Sequence, residues 1–399
     1  MQFARRINRL SASPIRETLR VLDKPGMISF AGGLPAEDSF PAMSLERVPR
    51  SSLQYGASEG DKDLRERIAE HLQTLGLDTG PEQVFILSGS QQGIDLTAKL
   101  LVEEGTPVAV EAPTYLAALQ VFQLFGAEFI QYSAGELPTL PLESRPPRLL
   151  YVNPTFQNPT GYCYDAAERM QLAKLCERYE TVLFEDDPYR DLVYDTCERQ
   201  PIVSKLRHGE WIYQSSFSKT FAPGLRLGYL ACSESLAKYF SRLKQATDLH
   251  TNRLSQHIVR EQFFGTDNPR RLERLRNLYR DKRDTFDHYL HQHLDGLASW
   301  EKPKGGLFFW LRLKSENAID TRVLLTETLK KNVAFMPGEP FFPVPPSAAN
   351  QLRLNFSLAT EQQVDQGLAM LRECLETHLG QRSHFYSTAG AEVTMLKQN

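Results

Sequence analysis

Short β-rich runs alternate with helix-period stretches from about Glu82 to Cys232, which predicts an α/β fold on a mainly parallel sheet covered by helices. Beyond residue 294 the order becomes strand, helix, strand, strand, helix, the signature of a smaller α+β domain. The length of 399 residues suits such a pair of unequal domains.

The elements follow in chain order. Residues 1–45 read as an N-terminal arm. Met1 to Arg16 holds four arginines and no acid, as a targeting leader would, but Phe3, Ile7, Leu10, Ile15, Leu19 and Leu22 recur at near-helical spacing and favour an amphipathic arm. Residues 46–294 form the expected large domain, with strands at Val84–Ser88, Val108–Glu111, Phe129–Tyr132, Leu149–Asn153, Val182–Glu185, Trp211–Ser215 and Leu227–Ala231. Helices are expected at Gln91–Glu104, Tyr115–Phe125 and Asp165–Tyr179, and the crossovers make the sheet mainly parallel. The Arg/Leu-rich stretch Ser233 to Leu294 reads as two helices broken near Asn268-Pro269. Residues 295–380 form the small domain, with strands Leu307–Leu313, Val333–Met336 and Leu352–Phe356 and helices Thr321–Lys331 and Glu361–Leu379. Pro340–Pro346 reads as a loop, and 381–399 as a frayed polar tail.

Composition narrows the function. Forty-six basic and 49 acidic side chains leave a net charge of −3, which gives no electrostatic reason for a nucleic-acid partner. The longest apolar runs, such as Gly306 to Leu311, are strand-sized and far below the ~18–20 residues of a membrane span. Five cysteines without a CxxC pair support neither a zinc site nor a disulfide framework, and suit a reducing, cytoplasmic compartment. His288, His291 and His293 lie in a charged stretch that reads as a solvated helix, so no metal is expected.

Five segments carry chemistry. In Ser215-Ser216-Phe217-Ser218-Lys219, a lysine just past a buried strand stands among small hydroxyls, with Arg226 seven residues on. Partial desolvation lowers a lysine's pKa and equips it to form a Schiff base. Ser216, Ser218 and Arg226 have the donors for a phosphate. Ser90 and Gln91 open a helix after a strand, so their amides and the helix dipole favour an anion, although a plain serine N-cap has the same pattern. Glu185-Asp186-Asp187-Pro188-Tyr189 puts carboxylates at the carboxyl end of a strand, where open parallel sheets gather ligands. Asn153 to Gly161 is turn chemistry after another strand. Arg353 and Asn355 share one face of a strand, and a guanidinium fork there suits a carboxylate.

SFSKTFAPGLRLGY around Lys219 resembles the cofactor-lysine signature of the class I/II aminotransferases, and the resemblance extends from SFAGGLP near Ser29 to LRLNFS at Ser357. It is nearest the branch of 2-aminoadipate and kynurenine aminotransferases and of regulators with an aminotransferase-like domain. The resemblance implies a fold type I PLP-transferase using pyridoxal 5′-phosphate (PLP), with Lys219 as cofactor lysine and acid–base group. It implies that Asp186 meets the pyridine nitrogen, Tyr189 and Asn158 the phenolic oxygen, and that Tyr115 stacks on the ring. Asn158 would also approach the substrate, whose α-carboxylate falls to Arg353, while Gly33 lets the arm pass close by. Ser90, Gln91, Ser216, Ser218 and Arg226 would hold the phosphate, joined by Tyr55 from a second subunit, which implies a homodimer. The reaction implied is ping-pong transfer of an α-amino group to a 2-oxo acid. Elimination, decarboxylation, cyclisation or oxidation on the same fold is the rival, and a PLP-binding regulator a more distant one. The glycine-free Phe342–Asn350 departs from close relatives, so no named substrate is transferred.

Overall fold

The computed structural model describes residues 3–10, 25–43, 48–135, 145–314, 319–344 and 350–395, with side chains as far as 378. Its strands are β1 (Ile28–Ser29), β2 (Val84–Leu87), β3 (Pro107–Glu111), β4 (Glu128–Tyr132), β5 (Leu149–Val152), β6 (Val182–Asp186), β7 (Trp211–Ser216), β8 (Gly228–Cys232), β9 (Ala298–Ser299), β10 (Phe308–Leu313), β11 (Val333–Ala334), β12 (Met336–Pro337) and β13 (Gln351–Asn355). The α-helices are α1 (Lys62–Thr74), α2 (Ser90–Leu101), α3 (Leu116–Phe125), α4 (Ala166–Tyr179), α5 (Glu234–Asp248), α6 (Arg253–Ile258), α7 (Asn268–Leu294), α8 (Thr321–Lys330) and α9 (Glu361–Met395).

Seven strands form the large sheet in the order β2-β8-β7-β6-β5-β3-β4, and only β8 runs antiparallel to its neighbours. Alternation along the strands divides its side chains between two faces. Phe85, Val108, Val110, Leu149, Phe184, Ile212 and Leu230 pack with α2, α3 and α5, while Ile86, Ala109, Leu150, Leu183 and Ala231 pack with α1 and α4. Local signals fix the helix ends. Asp165 accepts from the Glu168 N–H at 2.8 Å while Glu168 accepts from the Asp165 N–H at 2.6 Å, a capping box that starts α4.

The small sheet, β12-β13-β10-β9, shares one core with the second half of α7, α9 and part of the arm. Strand β1 of the arm pairs in parallel with β11, so the arm is stitched to the C-terminal region. Four expectations need correction. The strand placed at Val333–Met336 is two: β11 pairs with β1, and β12 with β13, because their backbones find partners on different sheets. The stretch to Leu294 is broken before Pro269 too: Leu249 turns left-handed at φ 62°, Asn252 caps α6, and a π-turn follows at Val259–Phe263. Pro269 lies in the first turn of α7, where its missing N–H costs nothing. Helix α9 continues past Leu379 to Met395, since no proline interrupts it and each of its interior glycines, Gly367, Gly380 and Gly390, costs only ~1 kcal/mol. Of the arm, Phe3 and Leu10 flank an exposed 3-10 turn that contains Ile7, and Ile15, Leu19 and Leu22 lie outside the described residues.

Candidate active site

The carboxyl ends of β3, β5, β6 and β7 open on one edge of the large sheet, where loops must leave the ladder and their side chains converge. Because β8 runs the other way, its first residue, Gly228, meets Ser216 of β7 and Leu87 of β2 at that same edge. Ser90 is thereby drawn to Ser216 and Arg226, more than a hundred residues further along the chain. A cavity of about 270 Å³ opens there.

Lys219, Asp186, Tyr189, Ser90, Gln91, Tyr115, Asn158, Ser216, Ser218, Arg226, Arg353 and Gly33 all line this cavity. Tyr55 does not: it is 76% exposed, with its ring edge-on to His250. Leu34 and Pro35 of the arm also line the cavity.

Lys219 follows β7, and its Nζ donates to the Gly33 carbonyl at 2.9 Å. Desolvation, then the Arg353 and Arg226 charges, lower its pKa from 10.5 to about 8. Asp186 ends β6 and is 3% exposed; Tyr151 donates to its Oδ2 at 2.8 Å. Its Oδ1 is buried without a partner. Desolvation raises this carboxyl from 3.8 to about 6. The neighbouring Asp187 points elsewhere, accepting from Tyr213 at 3.1 Å with Arg190 at 3.9 Å, and does not line the cavity.

Arg353 is a buried cation whose hydrogen bonds go to neutral oxygens. Its Nη1 donates to Asn158 Oδ1 at 2.7 Å and its Nη2 to the Ala31 carbonyl at 2.6 Å, while Nε has no partner. The guanidinium lies 4.2 Å from the Phe308 ring centre and 5.0 Å from that of Phe341. Burial pulls its pKa down to about 10. Tyr115 and Tyr189 are pushed up by burial, Tyr115 to about 12, so both stay neutral near pH 7.

The side of the cavity at the start of α2 departs from expectation in one respect. The residue at the N-cap of α2 is Gly89, at φ 80°, and Ser90 is the first helical residue. A Cβ on Gly89 would lie 2.6 Å from Arg226 Nη2, so glycine is what admits the guanidinium. Arg226 itself is held left-handed at φ 49°, a strained state for a side-chain-bearing residue. The Ser218 N–H donates to Ser216 Oγ at 3.1 Å, which turns the chain toward Lys219.

Sequence reasoning missed Tyr151, Phe308, Phe341, Ala31 and Gly89. Tyr151 and Phe308 read as strand interior, and only their partners across the fold give them a place in the site. For Gly89 the signal was a glycine between a strand and the helix that Ser90 opens.

The family of aminotransferases of class I and II matches residues 32–371. The 2-aminoadipate transaminase of Thermus thermophilus is 36% identical over 391 residues, covering 94% of this chain and 96% of its own. The solved α-aminoadipate aminotransferase of that organism, complexed with N-(5′-phosphopyridoxyl)-L-leucine, superposes with a TM-score of 0.85 over 95% of this chain and 98% of its own at 36% identity. The kynurenine aminotransferase of Pyrococcus horikoshii gives 0.88 over 94% and 97% at 31% identity. The chain therefore belongs to the class I and II aminotransferases, fold type I enzymes that transfer amino groups with pyridoxal 5′-phosphate.

Proposed function

We propose that the cavity around Lys219 is where this enzyme takes the α-amino group of an L-amino acid and passes it to a 2-oxo acid. The observation that carries this reading is the unpartnered Asp186 Oδ1, a buried acceptor awaiting a donor such as the N–H of a pyridinium ring. The room Gly89 leaves for Arg226 beside the first amides of α2 fits a phosphate equally well. These residues therefore suit PLP, with Asp186 on the ring nitrogen, Tyr115 against the ring, and Tyr189 and Asn158 near the phenolic oxygen. Ser90, Gln91, Ser216, Ser218 and Arg226 form the phosphate cup. PLP, when bound, withdraws electrons from the bond being broken at the donor Cα.

Lys219 Nζ is the group that takes the Cα proton and returns it. With a pKa brought to about 8, a substantial fraction of the free amine is neutral in mildly alkaline solution, and the Gly33 carbonyl holds it in place. Arg353 orients the donor through the α-carboxylate: an anion supplies the counter-charge this buried guanidinium lacks and occupies the unpartnered Nε. Phe308, Tyr189 and Pro188 wall the site against water. Residues 295–380 are proposed to close over the bound donor, with Gly33 in the arm moving with β11.

We place the enzyme in the cytoplasm as a homodimer. Five free thiols suit a reducing compartment, and among the described residues no helix is long and apolar enough to cross a membrane. Tyr55, outside its own cavity and beside the 77% exposed Leu53, is proposed to reach the phosphate cup of a second copy. The test is a half-reaction screen. Each amino acid, added without acceptor, should release no more than one 2-oxo acid per active site, with continued turnover only after a 2-oxo acid is supplied. Multiple turnovers without acceptor would instead establish elimination, decarboxylation or oxidation.

A further inference from the structure

Helix α2 begins without a capping side chain, because its N-cap is Gly89. The first amides of any helix lack partners within the helix. The Gln92 N–H donates to the Gly89 carbonyl at 3.1 Å, which leaves those of Ser90 and Gln91 for a ligand. Gln92, the third helical residue, reaches back over the turn as in a capping box, but to the residue before the N-cap: its Oε1 accepts from the Ser88 N–H at 2.8 Å. One amide side chain therefore sets the turn that presents the two free amides.

That side chain is gripped in turn from α5, 156 residues further along the chain: Gln92 Nε2 donates to Asp248 Oδ2 at 2.8 Å. Lys244, one helical turn before Asp248, donates to both of its oxygens, at 2.8 and 3.0 Å. Exposed ion pairs four residues apart on a helix are worth little. Here the Lys244 side chain is fully buried and that of Asp248 is 25% exposed, so the ammonium depends on its hydrogen-bonded counter-ion and fixes where the carboxylate stands. Glu59 adds a weaker attraction for Lys244. Just past Asp248, Leu249 stands at φ 62°, which few side-chain-bearing residues adopt. The buried Thr251 then donates from Oγ1 to the Ile86 carbonyl at 2.9 Å. The end of α5 thus holds the turn from both sides, at Ile86 in β2 and at Gln92 in α2.

We propose, on the reading of Ser90, Gln91, Ser216, Ser218 and Arg226 as the phosphate cup, that Asp248 is a positioning residue for the cofactor phosphate, acting through Gln92 on the turn at Ser88 and Gly89. Donors already aimed at an anion need no reorganisation when it arrives. With Gln92 held, the Ser90 and Gln91 amides keep their direction, and Gly89 keeps the φ of 80° beside the Arg226 guanidinium. Without the Asp248 acceptor, Gln92 is free to turn to solvent, the Ser88 N–H loses its partner, and the turn must be ordered again each time a phosphate binds. Asp248 is not among the residues that line the cavity. Its effect is therefore confined to ligands that carry the phosphate.

Asp248→Ala alone would strand a buried ammonium and could unfold the chain, so the test compares two double variants. Lys244→Met/Asp248→Ala has neither the charges nor the acceptor; Lys244→Met/Asp248→Asn lacks the charges but retains an acceptor for Gln92. Each cofactor-free full-length protein is titrated with PLP and with pyridoxal, which has the same ring and aldehyde without the phosphate. Lys244→Met/Asp248→Ala and Gln92→Ala should bind PLP about 3- to 10-fold more weakly than the parent, and pyridoxal equally well. Lys244→Met/Asp248→Asn should keep PLP affinity within about twofold of the parent. Arg226→Ala checks the cup itself and should weaken PLP binding selectively over pyridoxal. Parental PLP affinity in Lys244→Met/Asp248→Ala and Gln92→Ala, beside a selective loss in Arg226→Ala, would overturn the role of Asp248 and leave the cup standing. Equal weakening of PLP and pyridoxal would make Asp248 a part of the general fold, and an equal loss in the Asn double variant would show that the acceptor is immaterial; either result overturns the proposal. No selective loss in Arg226→Ala would overturn both the cup and the role of Asp248.

Discussion

Asp186→Asn separates what the site costs the fold from what it does for the reaction. The carboxyl stands at about 6 instead of 3.8, which corresponds to ~3 kcal/mol against its ionised form. The folded cofactor-free protein therefore keeps a proton that the unfolded chain has released between pH 3.8 and about 6, and stability falls as pH rises through that window. At neutral pH the loss is complete. Asp186→Asn removes it while retaining an oxygen for the Tyr151 hydroxyl. Cofactor-free Asp186→Asn should thus be more stable than the parent at pH 7.5 by ~1–3 kcal/mol, and its decline between pH 4 and about 6 should be shallower, since the raised Glu111 and Glu185 carboxyls titrate in both proteins. The loaded enzyme should behave oppositely. Loss of a charge-assisted bond to the ring nitrogen, ~1.5–3 kcal/mol, lowers kcat by about 10- to 200-fold. Thermal unfolding of the cofactor-free proteins across pH 4–8, with steady-state kinetics on the loaded ones, measures both. Unchanged kcat in Asp186→Asn beside a large loss in Asp187→Asn would refute the assignment, as would a destabilised cofactor-free variant.

Arg353→Ala should lower kcat/KM by about 10- to 200-fold for every donor alike, because each carries the same α-carboxylate. PLP affinity should change little and Arg353→Lys should recover only part of the loss; a defect confined to acidic donors in a donor panel would mean that Arg353 reads the side chain. Gly89→Ala sets a Cβ 2.6 Å from Arg226 Nη2 at φ 80°, and PLP titration of the cofactor-free variant should show affinity weakened about tenfold or more. Unchanged affinity would remove Arg226 from the phosphate cup.

Much of the site was legible because its chemistry lies in short segments at strand ends. Lys219 with Ser216 and Ser218, Asp186 with Tyr189, and Ser90 with Gln91 each sit within a few residues of a recognisable β-run, and parallel sheets put such ends on one edge. What escaped depends on pairing across the fold. The bond from Arg353 to Asn158 spans 195 residues and that to Ala31 spans 322, and no local pattern announces either. Tyr151 alternates correctly as a core strand residue; only the adjacent β6, in register at Phe184, brings Asp186 within reach of its hydroxyl. The division of Val333–Met336 was hidden for the same reason, since β propensity does not say which strand a segment will pair with. Choosing Asp186 over Asp187 needed the family pattern, because alternation blurs at Pro188; in the fold Asp186 lies at the cavity and Asp187 against Tyr213 and Arg190.

Which lysine holds the cofactor is the central question of this site. Borohydride reduction of the PLP-loaded enzyme, followed by peptide mapping, should find a single phosphopyridoxyl group, on the peptide containing Lys219. Lys219→Ala should take up PLP without becoming labelled and should show no measurable turnover. A label on any other lysine, or transamination surviving in Lys219→Ala at a rate within tenfold of the parent, would contradict the assignment to Lys219.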